Sequence, residues 1–266
     1  MKISFIGYGN MAKAMIKSLI NNKTYQIHAS APSLCAGIDQ NGVKTCSDNL
    51  ALVHDADIVI LAVKPAHMHH ALEQINSTSI PSHCIVISVA SGLSLNWFEK
   101  YFPTTAVVRA MPNIASALGK GATPLAANHL VTKEHKEKIE QIFSKFGLFT
   151  WVKNESEINA FTALSGSGPA YIFMFMEAMI KAAIGLGLTE DIAKDFVVQT
   201  FNGAVSLAME TPLSPTELRK TVTSPAGTTA AAIEVLNQHN FDAIIEEAMH
   251  AACERARQLG ENSCPD

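Results

Sequence analysis

The chain has 266 residues, of which 48% are hydrophobic and 17% are charged, and its formal net charge at pH 7 is -4. The charged share lies below the roughly 25% of an ordinary soluble domain, and the apolar share excludes a disordered chain. The small negative charge and the lack of a long basic run argue against nucleic acid as a partner. The length predicts one large domain or two medium ones.

The first half of the chain alternates strand-like runs with helix-like segments. The apolar run 3–6 ends at Gly7, and apolar residues then recur at helical spacing over residues 10–20. Further strands are predicted at 25–29, 58–63, 84–89, 106–111 and 148–152, with a helix at 133–146. This alternation is typical of an α/β fold with a mostly parallel sheet that is covered on both faces.

From about residue 155 the strand-like runs stop and helices follow one another. Helices are predicted at 169–184, from Thr189 to about 209, from a capping box at Ser214–Glu217 to about 222, from near Thr228, and from Asp242 to Gly260. The change of period predicts two domains, an α/β domain at 1–153 and an all-helical domain at 154–266.

Residues 170–180 are apolar on nearly all sides of a helix. Such a helix must be buried all round. Burial against the same helix of a second chain is the economical arrangement, and a central helix wrapped by its own neighbours is the alternative. A membrane is not predicted, because Glu177 and Lys181 interrupt the apolar region 169–188 before it reaches the about 18 residues of a span.

A glycine motif follows the first predicted strand and opens the first helix. Its residues Gly7, Gly9, Asn10, Met11 and Ala12 match the dinucleotide fingerprint with alanine in the third small position. The glycines allow a tight turn and a close approach of backbone to a pyrophosphate at the helix N-terminus. The motif therefore predicts a Rossmann-like cofactor domain, and a glycine turn without a ligand is the alternative.

The end of the second strand predicts which nicotinamide cofactor binds. NAD sites usually carry Asp or Glu there, whereas this chain has Ser30 and Ser33 and no carboxylate. Serine hydroxyls can accept a 2′-phosphate, so NADPH is preferred and NADH stays possible. The loop has no arginine, and both serines are also ordinary turn residues.

Two other predicted strands end in candidate cofactor residues. Ala62, Val63, Lys64 and Pro65 follow one strand, and Asn113 follows another. Open α/β sheets place their ligands at these carboxyl ends. A solvated lysine and a turn asparagine are the plainer interpretations.

Two loops in the helical half contain small and hydroxyl residues and run into helices. One is 164–171, and the other is 224–229, whose amides and hydroxyls form a plausible anion site. Simple helix capping is the alternative for each.

Neither histidines nor cysteines predict a metal site. The cluster at His67, His69 and His70 is interpreted as a solvated loop without a nearby carboxylate or cysteine. The cysteines are odd in number and scattered, and they form no CxxC pair: Cys35, Cys46, Cys84, Cys253 and Cys264. Reduced thiols and a cytoplasmic location are therefore expected.

Taken in order, these segments resemble the pyrroline-5-carboxylate reductase family. The resemblance covers essentially the whole chain and rests on residues 7–12, 62–65, 109–113, 165–171 and 224–229. Asn49 also matches a family position near the adenine ribose. Two departures stand out: Ala226 replaces a usual glycine, and Asn113 is followed by Ile114 and Ala115 in place of Thr-Pro.

The resemblance implies reduction of the ring C=N bond of 1-pyrroline-5-carboxylate to L-proline, the last step of proline synthesis. It implies that the Thr229 hydroxyl donates to the imine nitrogen, and that Ser224 with the amides of Ala226, Gly227 and Thr228 holds the substrate carboxylate. It also implies a helical domain that interlocks in a homodimer near the site, and in several members a ring of five dimers.

Two other functions remain open on the sequence. One is a related NADP-linked enzyme, such as a β-hydroxyacid dehydrogenase or an imine reductase. The other is a non-catalytic NADP-binding regulator, which the intact loop 224–229 argues against.

Overall fold

The computed structural model describes residues 1–75 and 80–262, so Cys264 lies outside the described part of the chain. The chain forms two compact units. The first comprises Met1–Pro169 together with the chain from Met249 onward, and the second is Ala170–Ala248.

Within the described residues of the first unit, nine strands form a single sheet. They are β1 (Lys2–Ile6), β2 (Gln26–Ser30), β3 (Gly37–Ile38), β4 (Lys44–Cys46), β5 (Ile58–Leu61), β6 (Ile85–Ser88), β7 (Ala106–Ala110), β8 (Gly121–Ala127) and β9 (Gly147–Trp151). Their order is β3-β4-β2-β1-β5-β6-β7-β8-β9, and only the β3–β4 and β7–β8 pairs are antiparallel. The prediction of a mostly parallel sheet is confirmed.

The helices fall into two groups along the chain. The first group is α1 (Asn10–Leu19), α2 (Asn49–Val53), α3 (Pro65–Gln74), α4 (Leu95–Glu99), a 3₁₀ helix (Ile114–Leu118), α5 (Lys133–Phe143), α6 (Glu157–Phe161) and a π-helical segment (Thr162–Gly166). The second is α7 (Gly168–Gly185), α8 (Glu190–Glu210), α9 (Pro215–Thr221), α10 (Thr228–Gln238) and α11 (Phe241–Asn262).

The apolar strand β5 explains why the sheet has a core on each face. Ile58 and Ile60 pack into one apolar cluster, whereas Val59 and Leu61 pack into the other. All four side chains are fully buried. Successive side chains of a strand point to opposite faces, so a run without polar residues must be covered on both sides.

Three details of the sequence interpretation were wrong. The histidine cluster lies on α3, where Pro65 occupies the first turn, and not on a loop. Glu73 lies one turn further along α3, with its carboxylate 3.2 Å from His69 Nε2 and 3.7 Å from His70 Nδ1, so a carboxylate is nearby after all. The last helix begins at Phe241, which places Asp242 in its first turn and not at the cap.

A partly buried ion pair attaches residue 155 to the sheet. Arg109 in β7 places its Nη1 2.8 Å from Oε1 of Glu155, and the same oxygen accepts a hydrogen bond from the Leu95 amide at 2.9 Å. The Arg109 side chain is 9% exposed. This pairing joins residue 155 to the first unit. The domain boundary between residues 153 and 154 stays a prediction.

The second unit leaves apolar helix surface uncovered. None of the residues of α7 is buried in the single chain, and Phe173 and Met174 are 56% and 73% exposed. Within the unit, Phe175 packs edge-on against Phe201. A central helix wrapped by its own neighbours, the alternative left open by the sequence, is therefore not what the chain forms. Among the helices of residues 1–75 and 80–262, none combines the length and the apolar character that crossing a membrane requires.

Candidate active site

A cavity of about 420 Å³ opens at the carboxyl ends of β1, β2 and β5 in the first unit. Its lining is contributed by Gly7, Gly9, Ser30, Ala31, Pro32, Asn49, Ala62, Val63, Lys64, His67, His70, Ala71 and Gln74. None of these lining residues is acidic. An anionic ligand would therefore meet no like charge from the walls.

The turn after β1 can be made only by glycine. Gly7 has φ +99°, and a Cβ there would lie 2.8 Å from both the carbonyl carbon and the carbonyl oxygen of Ala62. The Gly7 amide donates to the carbonyl of Ser30 at 2.8 Å, which fixes the turn against β2. Gly9 differs, because nothing lies within 4 Å of the position its Cβ would take.

The N-terminus of α1 faces this turn with free amides. Gly9 is its N-cap, and its carbonyl accepts the helix bond from the Lys13 amide at 3.0 Å. The amides of Asn10, Met11 and Ala12 precede that bond and so have no partner inside the helix. The first turn contains no acidic residue. These features fit a pyrophosphate, whose charge the free amides and the helix dipole favour.

The predicted ribose corner is built around Ser30. Ser30 ends β2, is fully buried, and donates its hydroxyl to Oδ1 of Asn49 at 2.5 Å. Asn49, the first residue of α2, donates Nδ2 to Oε1 of Gln74 at 2.6 Å. Ser33 is exposed and is not among the cavity residues, so only one of the two serines predicted to bind the ribose lines the cavity.

The segment after β5 supplies the floor of the cavity. Ala62, Val63 and Lys64 line it, and Lys64 is exposed at the N-cap position of α3. Pro65 begins α3 and is not among the lining residues. Its fixed φ suits a first helical position, which is a structural role.

Asn113 is engaged in holding its own loop. Its Oδ1 accepts from the Ala115 amide at 3.2 Å and caps the 3₁₀ helix, while its Nδ2 donates to the carbonyl of Ser165 at 2.9 Å. The side chain is buried and does not belong to the cavity lining. The contacts fit the plainer interpretation of a structural turn residue, and a contact with cofactor stays a prediction.

Sequence reasoning assigned no role to Tyr8, the central residue of the glycine turn. Its hydroxyl hydrogen-bonds to the carboxylate of Asp39 in the β3–β4 turn, and Lys13 Nζ lies 5.2 Å from the ring centroid. Burial and the adjacent Asp39 raise the pKa of Tyr8 to about 12. The phenol therefore stays neutral and anchors the hairpin beside the cavity. No pattern in the sequence connects positions 8 and 39.

The second unit contains the predicted substrate loop, residues 224–229, which follows α9 and runs into the first turn of α10. The Gly227 amide donates to the carbonyl of Ser224 at 3.1 Å, and a Cβ on Gly227 would lie 2.4 Å from Ser224 Oγ. The Ala231 amide bonds to the Gly227 carbonyl, so the amides of Thr228 and Thr229 precede the helix bonds of α10. Of the amides proposed to bind a carboxylate, the one of Gly227 is thus already used in the turn.

Ala226 has a left-handed backbone, with φ 56°. Replacing it by glycine, the residue usual in the resembling family, removes the Cβ strain of that conformation. We expect Ala226→Gly to raise the free energy of unfolding by about 0.5–1 kcal/mol, as measured by urea denaturation. Asn240, at φ 52°, is the matched control, because Asn240→Gly should give a smaller gain since asparagine tolerates this conformation. An Ala226→Gly protein less stable than the parent would contradict the strain.

No group of three potential metal ligands forms within residues 1–75 and 80–262. In the same ranges Cys35, Cys46, Cys84 and Cys253 are free thiols. Burial raises the pKa of Cys84 to about 12, so this thiol stays protonated.

Two family models match the chain. Residues 155–259 match the model described as pyrroline-5-carboxylate reductase dimerisation, and residues 2–92 match the model described as NADP oxidoreductase, coenzyme F420-dependent. The first covers most of the helical part and the second covers the glycine motif, Ser30 and the segment 62–65.

Relatives match the chain over nearly its full length. The chain is 37% identical to the pyrroline-5-carboxylate reductase of Pseudomonas aeruginosa, covering 98% of this chain and 97% of the relative. The pyrroline-5-carboxylate reductase structure from Coxiella burnetii has 41% identity and a TM-score of 0.88 over 97% of both chains. The Plasmodium falciparum pyrroline carboxylate reductase structure, with NADP bound, has 28% identity and a TM-score of 0.89 over 98% of both chains.

Proposed function

We infer that this chain, which belongs to the pyrroline-5-carboxylate reductase family, reduces the ring C=N bond of 1-pyrroline-5-carboxylate to L-proline with hydride from a nicotinamide cofactor. This is the final step of proline biosynthesis. The full-length similarity to enzymes of that name carries the assignment. The acid-free cavity at the helix N-terminus supports it, since a dinucleotide needs such a site.

The cofactor is held, in this proposal, by the first unit. The backbone at Gly7, Gly9, Asn10, Met11 and Ala12 receives the pyrophosphate. The other contacts are proposed for Ser30, Ser33, Asn49, Ala62, Val63, Lys64, Pro65 and Asn113, of which Ser30, Asn49 and 62–64 line the cavity. When bound, the nicotinamide supplies the hydride that reduces the imine carbon.

Because the cofactor supplies the hydride, the residues of the second unit have only to bind the substrate and to donate one hydrogen bond to its ring nitrogen. Thr229, in the first turn of α10, donates a hydrogen bond from its hydroxyl to the imine nitrogen, and the proton that this nitrogen gains as the hydride reaches the carbon comes from water. Ser224 and the loop amides of Ala226 and Thr228 hold the carboxylate, and Gly227 keeps the loop tight beside Ser224. Positioning of the two reactants supplies much of the rate.

The decisive experiment is an assay of purified protein with 1-pyrroline-5-carboxylate and NADPH, repeated with NADH. We expect consumption of both cofactors with a lower KM for NADPH, because no carboxylate lines the ribose corner to repel a 2′-phosphate. β-Hydroxyacids serve as comparison substrates. Turnover of a hydroxyacid in place of the imine would assign the chain to another NADP-linked reaction, and cofactor binding without any turnover would make it a regulator.

We propose that the helical part, 154–266, pairs two chains into a homodimer, and that 1–153 binds the cofactor. The exposed apolar side chains of α7 support this, because large apolar patches are rare on monomeric proteins and usually mark an interface. Sedimentation equilibrium should give a dimer or an assembly of five dimers. Met174→Lys, which charges a 73% exposed position on α7, should yield monomers, whereas Lys153→Met should not. A monomeric parent would contradict the proposal.

A cytoplasmic location is also proposed. The free thiols at residues 35, 46, 84 and 253 support it, since secreted proteins tend to form disulfides. Thiol labelling of protein taken directly from cells should show these cysteines reduced.

A further inference from the structure

One corner of the cofactor cavity contains a chain of hydrogen-bonding side chains that ends on α3. Ser30 Oγ donates to Asn49 Oδ1 at 2.5 Å, and Asn49 Nδ2 donates to Gln74 Oε1 at 2.6 Å. Gln74 Nε2 lies 3.4 Å from His70 Nε2. All four residues line the cavity. No sequence motif includes Gln74 or His70 in the site.

Ser30 is where a dinucleotide site distinguishes its cofactors. It ends β2, next to β1 in the sheet, and this is the position where NAD sites place the carboxylate that binds the ribose 2′-hydroxyl. Ser30 is fully buried, so its hydroxyl has few partners to choose from. The direction of this hydroxyl therefore decides what the corner offers to a ligand.

The amide of Asn49 sets that direction. A side-chain amide has an oxygen that only accepts and a nitrogen that only donates. Because the nitrogen of Asn49 is directed to Gln74 Oε1, its oxygen faces Ser30 and takes the hydroxyl proton. Ser30 is left with its lone pairs, so its hydroxyl has only acceptor capacity to offer a ligand that reaches it.

An acceptor suits a ribose hydroxyl and does not suit a phosphate. The 2′-hydroxyl of NADH can donate to Ser30 Oγ, whereas the 2′-phosphate of NADPH has only acceptor oxygens at neutral pH. To bind that phosphate, Ser30 must turn its proton toward the ligand, which requires Asn49 to give up the bond or rotate its amide. Gln74 opposes the rotation because its Oε1 holds the Asn49 nitrogen.

We propose that Gln74 is a positioning residue that tempers the preference for NADPH over NADH by fixing the orientation of the Asn49 amide. The inference rests on the proposed binding of a nicotinamide dinucleotide in this cavity. It adds that the residue at the end of α3, not only the loop after β2, controls the choice of cofactor. In this proposal NADH remains usable because a ribose hydroxyl that reaches Ser30 meets an acceptor.

Two substitutions at this position should shift the choice in opposite directions. Gln74→Leu removes the acceptor and frees Asn49 to rotate. Gln74→Glu keeps an acceptor for Asn49 and adds negative charge to a cavity that has no acidic side chain. Gln141→Leu is the matched control, since Gln141 is an exposed residue of α5 outside the cavity.

Calorimetric binding of two fragments measures the effect without turnover. Adenosine 2′,5′-bisphosphate carries the 2′-phosphate, and 5′-AMP carries the free 2′-hydroxyl. We expect Gln74→Leu to shift the ratio of the two Kd values about 3- to 10-fold in favour of the bisphosphate, the effect of one hydrogen bond. Gln74→Glu should shift it by a similar factor in favour of 5′-AMP, and Gln141→Leu should leave it unchanged. The ratio of KM values for NADPH and NADH should move in the same directions.

A merely structural role for Gln74 predicts a different result. Both fragments would then weaken by the same factor in Gln74→Leu, and this outcome overturns the proposal whatever Gln74→Glu does, because the added carboxylate repels the 2′-phosphate in either case. A shift of the same sign in the two variants overturns it as well. If the parent binds both fragments but does not reduce 1-pyrroline-5-carboxylate, the proposed reaction fails while the role of Gln74 is still decided by the ratios. If the parent binds neither fragment, both proposals fail.

Discussion

Replacing Thr229 by alanine is expected to lower kcat/KM for 1-pyrroline-5-carboxylate by a factor of about 10–1000. Losing one hydrogen bond that forms fully only as charge develops on the imine nitrogen has an effect of this size. Thr229 stands in the first turn of α10, after the Gly227 cap, and is half-buried. Steady-state kinetics at saturating NADPH measure the loss, which should fall mainly on kcat.

The conservative variant separates chemistry from packing. Thr229→Ser keeps the hydroxyl and loses only a methyl group, so it should retain activity within a few-fold of the parent. Thr229→Val keeps the shape without the hydroxyl and should behave like the alanine variant. The Kd of NADPH should not change in any of the three, because Thr229 is not part of the cofactor cavity. Full activity of the valine variant would remove Thr229 from the mechanism.

The sequence predicts correctly those strands whose burial produces a continuous run of apolar residues. β5 and β6 are uninterrupted apolar runs because both faces of the sheet are covered. β8 breaks this pattern although it lies between β7 and β9 in the sheet. Its sequence contains Gly121 and Pro124, which argue against a strand, and Gly121 is required because a Cβ would lie 2.8 Å from the carbonyl oxygen of Phe146.

The glycine turn could be predicted because its backbone conformation restricts the residue type. Gly7 has a positive φ, which favours glycine, so the conformation is visible in the sequence itself. The partners of Ser30 could not be found this way, because Asn49 lies 19 residues and Gln74 44 residues further along the chain. Contacts between strand ends and the helix α3 depend on the strand order, which local patterns do not specify. Asn113 is the opposite case. Its position at the end of a strand predicts a cofactor contact, but its side chain makes hydrogen bonds to Ala115 and Ser165.

The apolar helix α7 shows what can be predicted from amino-acid composition alone. A helix without a polar face predicts a covering partner, and the exposure of Phe173 and Met174 in the single chain agrees with that demand. The sequence could not predict which helices of the same chain leave α7 exposed, because that depends on where α8, α10 and α11 pack. An excess of apolar residues in a chain with few charges is thus in itself an indication of an interface.

The second large effect is expected from alanine at Gly7. The added Cβ would lie 2.8 Å from backbone atoms of Ala62, which cannot rotate away, and the residue would have to keep φ +99°. Strain at such a backbone angle and overpacking together should lower the free energy of unfolding by about 2–5 kcal/mol. Thermal or urea unfolding of the purified variant measures the loss, and NADPH affinity should fall with it because the turn opens.

Gly9 provides the matched comparison, since it lies two residues away in the same turn and has room for a methyl group. Its φ is -79°, which any residue adopts, and nothing lies within 4 Å of its Cβ position. Gly9→Ala should therefore unfold within about 0.5 kcal/mol of the parent. Its methyl group enters the cavity where a pyrophosphate must approach the α1 amides, so the Kd of NADPH should rise by at least about 10-fold, or roughly 1.4 kcal/mol. If Gly9→Ala binds NADPH as tightly as the parent, the cofactor does not bind at this turn. If Gly7→Ala is as stable as the parent, the turn can move away from Ala62 at little cost, which contradicts the expected strain.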